Sequence, residues 1–226
     1  MLGSWIIFIA FAIASWLISN QLKRRFEEYS KIPTANGMTG KEVALKMLRD
    51  HNIYGVTVES VAGKLTDHYN PANKTINLSE EVYYGQDVAA AAVAAHECGH
   101  AVQHASAYAW LGLRSSLVPA VSFTSQWMQW VLLAGILMVN SFPGILLAGI
   151  ALFAVTTLFS FITLPVEINA SNRALAWIAT SGATSSQTQA QAEDALKWAG
   201  YTYIVAALGS LATLLYYIMI YMGRRN

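Results

Sequence analysis

Residues 115–166, SSLVPAVSFTSQWMQWVLLAGILMVNSFPGILLAGIALFAVTTLFSFITLPV, contain no Asp, Glu, Lys, Arg or His. A helix needs about 20 apolar residues to cross a bilayer. This stretch is long enough for two crossings, and Asn140, Ser141, Phe142, Pro143 and Gly144 supply a tight turn between them. The reading is a membrane hairpin, 117–139 and 145–164. Composition agrees: of 226 residues 55% are hydrophobic and 12% charged, which is too apolar for an ordinary soluble domain.

Outward from the hairpin, residues 2–18 form another charge-free apolar run, with Trp5 and Trp16 near its ends where tryptophan suits the interfaces. A cleaved signal peptide carries its positive charge before the apolar run; here Lys23, Arg24 and Arg25 follow it. An uncleaved anchor with its N-terminus outside is expected. A fourth span, 201–222, precedes Arg224 and Arg225. These two lie on the outer side, against the positive-inside tendency, but Lys23, Arg24, Arg25, Lys31, Arg114, Arg173 and Lys197 outnumber them on the other. The polar segments are therefore expected in the cytoplasm. A net charge of +1 gives no basis for nucleic-acid binding, and the single cysteine, Cys98, excludes an intrachain disulfide. Cys98 reads as a small buried apolar residue on a helix flank, with a redox-sensitive thiol as the alternative.

Between anchor and hairpin, Thr39, Gly40, Lys41 and Glu42 form a capping box opening a helix that buries Val43, Met47 and Leu48 and ends near His51 and Asn52. Segments 57–61, 65–69 and 75–78 are short and β-prone, and Asn70-Pro71-Ala72-Asn73 reads as a hairpin turn. Segment 75–78 is expected at a sheet edge, either as an ordinary edge strand or as one that an extended peptide pairs with.

Residues 89–105, AAAAVAAHECGHAVQHA, then read as one helix starting at Asp87 or a near neighbour. His96-Glu97-Cys98-Gly99-His100 is an H-E-x-x-H. Its four-residue spacing sets both histidines on one face, a turn apart, within reach of one metal ion. Two neutral imidazoles suit zinc, which in catalytic sites takes three protein ligands and a water. Glu97 lies beside His96 without being a ligand and suits a general base. His104 continues the series, but His96 and His104 stand about 12 Å apart along the axis at 1.5 Å per residue, too far to share one ion. His104 reads as a polar residue near the cleft or at the membrane surface.

The third ligand is expected at Glu167. The hairpin returns the chain to the face it left, and Pro165 fits the first turn of a new helix that carries Glu167, Asn169, Asn172 and Arg173. A carboxylate there also suits plain helix N-terminal electrostatics. Beyond it, 180–191 is polar, and a short helix with Glu193 and Lys197 four apart is expected to stop at Gly200.

HECGHAVQHA, DHYNPANKTINLSEEVYYG and LPVEINASNRAL, spread from about Gly40 to Leu175, resemble the YugP-type membrane zinc metallopeptidases of bacteria. More remotely the chain is similar to HtpX-like proteases, which likewise place two spans between H-E-x-x-H and a glutamate ligand. The resemblance implies one Zn2+ per chain on His96, His100 and Glu167, Glu97 as base, and a bacterial inner-membrane setting. The wider pattern often has Asp four residues after the ligand glutamate; here that position is Ser171, so Ser171, Asn169 and Asn172 are the candidates for orienting a histidine.

The expected fold is a mainly α membrane protein, four transmembrane helices with a small α+β zincin-like cytoplasmic domain. Its parts are an anchor (1–20), the domain with H-E-x-x-H (21–114), the hairpin (115–166), cytoplasmic helices with the third ligand (167–200) and a last span (201–226). The expected function is peptide-bond hydrolysis at the cytoplasmic membrane face, on protein or peptide substrates that include membrane proteins. Arg173 reads as an interfacial arginine or an oxyanion donor, and His68 as a hairpin residue. The alternative is a zinc-binding membrane scaffold without turnover, in which Glu97 has no task. Cleavage inside the bilayer fits less well, because Ser79, Glu80, Glu81 and Asp87 precede the H-E-x-x-H helix. A metal transporter needs ionisable residues within its spans, and the hairpin has none.

Overall fold

The computed structural model describes residues 2–223, with the side chains of residues 2–5 and 7 left aside. The side chain of Trp5 and residues Arg224 and Arg225, used above for anchor and orientation, lie outside what is described. The elements in order are α1 (Leu2–Tyr29), α2 (Gly40–Asp50), β1 (Thr57–Val61), β2 (His68–Asn70), β3 (Thr75–Ser79), α3 (Glu80–Tyr84), α4 (Val88–Ala105), α5 (Ala109–Leu137), α6 (Pro143–Ser181) and α7 (Ser186–Met222). The protein is mainly α, and its described residues fall into two compact units.

The mixed unit comprises residues 18–111 and 165–201. Its α2 begins on the expected capping box: Thr39 Oγ1 accepts from the Glu42 N–H at 3.2 Å, and a Glu42 carboxylate oxygen accepts from the Thr39 N–H at 2.8 Å. Val43, Ala44, Met47 and Leu48 of α2, Ile76 and Leu78 of β3, and the alanine face of α4 form one core with Trp177 and Ile178 of α6 and Leu196 of α7. Alanine is what lets α4 be buried on most of its circumference, because helices carrying only methyl groups approach closely.

The sheet order is β1-β3-β2, with β1 parallel and β2 antiparallel to β3. The hairpin at Asn70–Asn73 forms as its sequence implies: the Asn70 side chain accepts from the Ala72 N–H at 3.0 Å, an Asx turn. The edge assignment is corrected. Segment 75–78 lies in the central strand, paired on both sides and buried along its length, so no peptide can add to it. Local patterning sees the hairpin with β2; the parallel partner β1 arrives by a nonlocal crossover. β2 is also shorter than 65–69, because Leu65 takes a left-handed φ of 58°. At Asp67 the carboxylate, not a ladder bond, accepts from the Ser79 N–H at 2.7 Å.

Two further boundaries differ from expectation. α6 runs through Pro165 instead of starting a new helix there, and α7 runs through Gly200 instead of stopping. A proline removes one ladder bond, and a glycine costs about 1 kcal/mol relative to alanine. Helices of 39 and 37 residues retain enough bonds and packing on either side to absorb a single such residue.

The helical unit comprises residues 2–17, 112–164 and 202–223. Its turn sits where expected: the Phe142 N–H donates to Met138 O at 2.8 Å, and Pro143 opens α6. α5 and α6 come together at glycines. A Cβ on Gly135 would stand 2.6 Å from Leu146 Cα, and one on Gly149 2.8 Å from Leu132 Cδ2. Small residues at such crossings are the usual means of close helix packing in lipid. α6 and α7 are long and apolar enough to cross a membrane.

Candidate metal centre

The N-terminus of α4 is fixed by Asp87, whose carboxylate accepts from the Ala90 N–H at 2.9 Å. About three turns on, α4 meets α6 at Gly99, where a Cβ would stand 2.5 Å from the Ala170 carbonyl oxygen. Only glycine allows the two backbones so near. Ala170 lies one turn beyond Glu167, and Gly99 lies between His96 and His100, so this contact is what carries the α6 carboxylate to the two imidazoles.

His96, His100 and Glu167 form one cluster, their ligand atoms all within 4.8 Å of one another. His96 Nε2 lies 3.3 Å and His100 Nε2 3.5 Å from Glu167 Oε2. Two donors each about 2 Å from one tetrahedral ion stand about 3.3 Å apart, so the separations suit zinc. His100 and Glu167 are buried, and His96 is partly open. Burial pushes the Glu167 carboxyl upward, and the two imidazoles bonded to it overcome that and hold it well below the ordinary range. Burial likewise lowers His100, and its bond to Glu167 with the nearby carboxylate charges brings it above the ordinary value.

Each histidine turns Nε2 to Glu167 because its Nδ1 is occupied elsewhere. His96 Nδ1 lies 3.1 Å from Ser171 Oγ, and His100 Nδ1 3.1 Å from Gln103 Oε1. Gln103 is fully buried and donates through Nε2 to Val166 O at 2.8 Å and to Asn169 Oδ1 at 3.0 Å. Asn169 Oδ1 also accepts from Arg173 Nε at 2.8 Å. With its carbonyl toward an imidazole N–H and its amide toward two acceptors, Gln103 selects the tautomer that leaves Nε2 a free donor for metal.

Glu97 is 8% exposed, and its Oε2 accepts from the Tyr69 N–H at 2.9 Å. The Tyr69 hydroxyl lies 2.7 Å from His104 Nδ1, so β2 is tied to α4 at two points. His104 thus sits against Tyr69, outside the cluster. His68 bonds to Thr66 O and Asn77, and Arg173 to Asn169 on its own helix, so neither joins the cluster. Of the three candidates for orienting a histidine, Ser171 contacts His96, Asn169 acts through Gln103, and Asn172 is exposed. Cys98 is buried against Ala44 O, and burial pushes its thiol well up, so it stays protonated and inert.

Gln103 and Tyr69 are the residues that sequence reasoning missed. Gln103 left a faint signal, an amide three residues after His100 and so on the same helix face as the histidines. Tyr69 left none, because the donor it supplies is a backbone N–H.

No solved structure matches this chain. It is 39% identical to the "Putative membrane protease YugP" of Bacillus subtilis (strain 168), over all of this chain and 99% of that protein. The family described as "Putative neutral zinc metallopeptidase" matches residues 4–222. A family of zinc peptidases is what the donor set of His96, His100 and Glu167 fits, and over nearly its whole length the chain belongs to that one.

Proposed function

We propose that the protein is a membrane-embedded zinc endopeptidase that hydrolyses peptide bonds at the cytoplasmic face, with His96, His100 and Glu167 holding one zinc and Glu97 as general base. The observation that carries this reading is Glu97 itself. It is a buried carboxylate beside the metal cluster, outside it, and oriented by the Tyr69 N–H. A scaffold needs the cluster and has no use for that fourth group.

Zinc, when bound, supplies a Lewis acid that acidifies a water and polarises a carbonyl. The chain supplies the rest. Gln103, whose carbonyl can only accept, keeps the His100 Nδ1 protonated, and Ser171 engages the His96 Nδ1, so both Nε2 atoms face the cluster. The Tyr69 N–H fixes Oε2 of Glu97, so the carboxylate can take a proton from the attacking water and pass it to the leaving amine.

Four spans and a cytoplasmic site are part of the same reading. α6 and α7 pass on length and apolarity, and Ile9, Ile13 and Trp16 of α1 and Phe123, Trp127 and Trp130 of α5 stay exposed. Such side chains call for lipid. Lys23, Arg24, Arg25, Arg114, Arg173 and Lys197 belong to the segments assigned inside, as the positive-inside tendency asks.

The test is cleavage of an unfolded membrane protein by zinc-loaded protein, wild type beside Glu97→Gln, with zinc content measured in both. Chelator-sensitive cleavage should fall about 10²–10⁴-fold in the variant at equal zinc. Undiminished cleavage by Glu97→Gln would remove the base. Full zinc without cleavage by wild type, over a range of unfolded substrates, would favour the scaffold.

A further inference from the structure

The N-terminal half of α4 forms one wall of a pocket of about 370 Å³, within the ~300–1,000 Å³ range of pockets that bury small ligands. The other walls come from α1, from the segment between β1 and β2, and from α3. Its position follows from helix geometry. Residues three and four apart share a helix face. Val93, in the pocket wall, has Ala90 and Ala89 three and four residues before it, also in the wall, and His96 and Glu97 three and four after it. The pocket and the catalytic residues are successive turns of one face. A second element repeats the relation: Leu65 and Asp67 line the pocket, and Tyr69, two residues on, donates to Glu97.

The chemistry of the pocket follows from which groups are already engaged. Lys64 pairs with Glu81 across the rim. Asp67 accepts from the N–H and the hydroxyl of Ser79, and Asp87 accepts from the Ala90 N–H. Lys23 and Glu27 stand exposed on the α1 wall with opposite charges, and Leu22, Phe26, Leu65, Val82 and Val93 are the apolar side chains left to meet an occupant. Leu65 is 66% exposed and holds a φ of 58°, a conformation that glycine or asparagine adopts more readily. A bulky aliphatic side chain kept at a strained, solvent-facing rim position points to a contact with something else.

We propose that this pocket takes a bulky apolar side chain of the peptide substrate, next to the bond to be cut, with Leu65 as the residue closing over it. The proposal rests on the peptidase reading above, so its test separates binding from turnover. Zinc-loaded Glu97→Gln protein in lipid nanodiscs is titrated with fluorescein-labelled short alanine-rich peptides that differ only in a central Phe or Asp. Empty nanodiscs are the blank, and anisotropy is the readout. Two variants probe the pocket from outside the catalytic machinery. Leu65→Gly removes the closing side chain at a φ glycine accepts, and Ser30→Trp fills the cavity from an exposed wall position.

The Phe peptide is expected to bind about tenfold or more tightly than the Asp peptide. That preference should fall to about twofold or less in either variant while zinc content is unchanged. Absence of a Phe preference, or its persistence through both variants, overturns the proposal. Cleavage of an unfolded membrane protein by protein with Glu97 intact is scored separately. Preference without cleavage keeps the pocket and overturns the peptidase reading. Cleavage without preference keeps the peptidase and overturns the pocket.

Discussion

The two histidines of the cluster share one task and are held in different ways. His100 is supported from within its own helix by Gln103, fully buried and fastened by two further hydrogen bonds to α6. His96, more open to solvent, rests on a single hydroxyl, Ser171, supplied by α6. The His100 side is a network in which both ends of the buried Gln103 amide have partners, and removing that amide leaves the His100 Nδ1–H unsatisfied in a buried place. The His96 side is one bond near a cleft, where water can substitute. Affinity for the metal should therefore depend more on Gln103 than on Ser171, although each stands the same distance from its imidazole.

Glu167 serves both sides at once, and Glu167→Gln is expected to have the largest effect. Zinc affinity should drop by more than the about 10–100-fold typical of supporting residues, and activity should reach background. Metal content by mass spectrometry and cleavage rate check this together. Gly99→Ala comes next and also strikes both sides. A methyl 2.5 Å from the Ala170 carbonyl forces α4 and α6 apart, for about 1–3 kcal/mol of stability and a cluster that no longer closes. Thermal unfolding and zinc stoichiometry should fall together, and a fully loaded, fully stable Gly99→Ala protein would remove the close-approach argument.

Gln103→Leu tests the asymmetry directly. It leaves the His100 Nδ1–H without its acceptor and cuts the tie from α4 to Val166 O and Asn169 Oδ1, and zinc affinity should fall about 10–100-fold, measured by competition with a chromophoric chelator. Ser171→Ala is expected to have the smallest effect, about tenfold or less in the same assay, because solvent can replace the hydroxyl. Equal losses in the two variants would break the comparison. A larger loss in Ser171→Ala would reverse it.

Much of the site could be read from the chain because its pieces are local. H-E-x-x-H fixes its own geometry through the helical period, the Thr39 capping box and the Asn70 turn are short-range chemistry, and the charge-free stretch announces itself by length. The misreadings have a common cause. Pro165 and Gly200 obey rules that hold for short helices, and the energy of long ones outweighs them. Segment 75–78 became central because β1, distant in sequence, pairs with its free side.

By itself the sequence determined the paired histidines, the adjacent carboxylate and the apolar stretches, since each depends on residue identity and spacing along one element. Glu167 as the third member of the cluster needed more than spacing: the return of the hairpin pointed to it, a resemblance agreed, and the contact of Gly99 with Ala170 brings it there. Only tertiary structure decided what holds each imidazole, which donor orients Glu97 and which wall continues the catalytic face into a pocket. Those depend on atoms from α4, α6 and β2 meeting across long sequence separations, including a backbone N–H that every residue but proline carries.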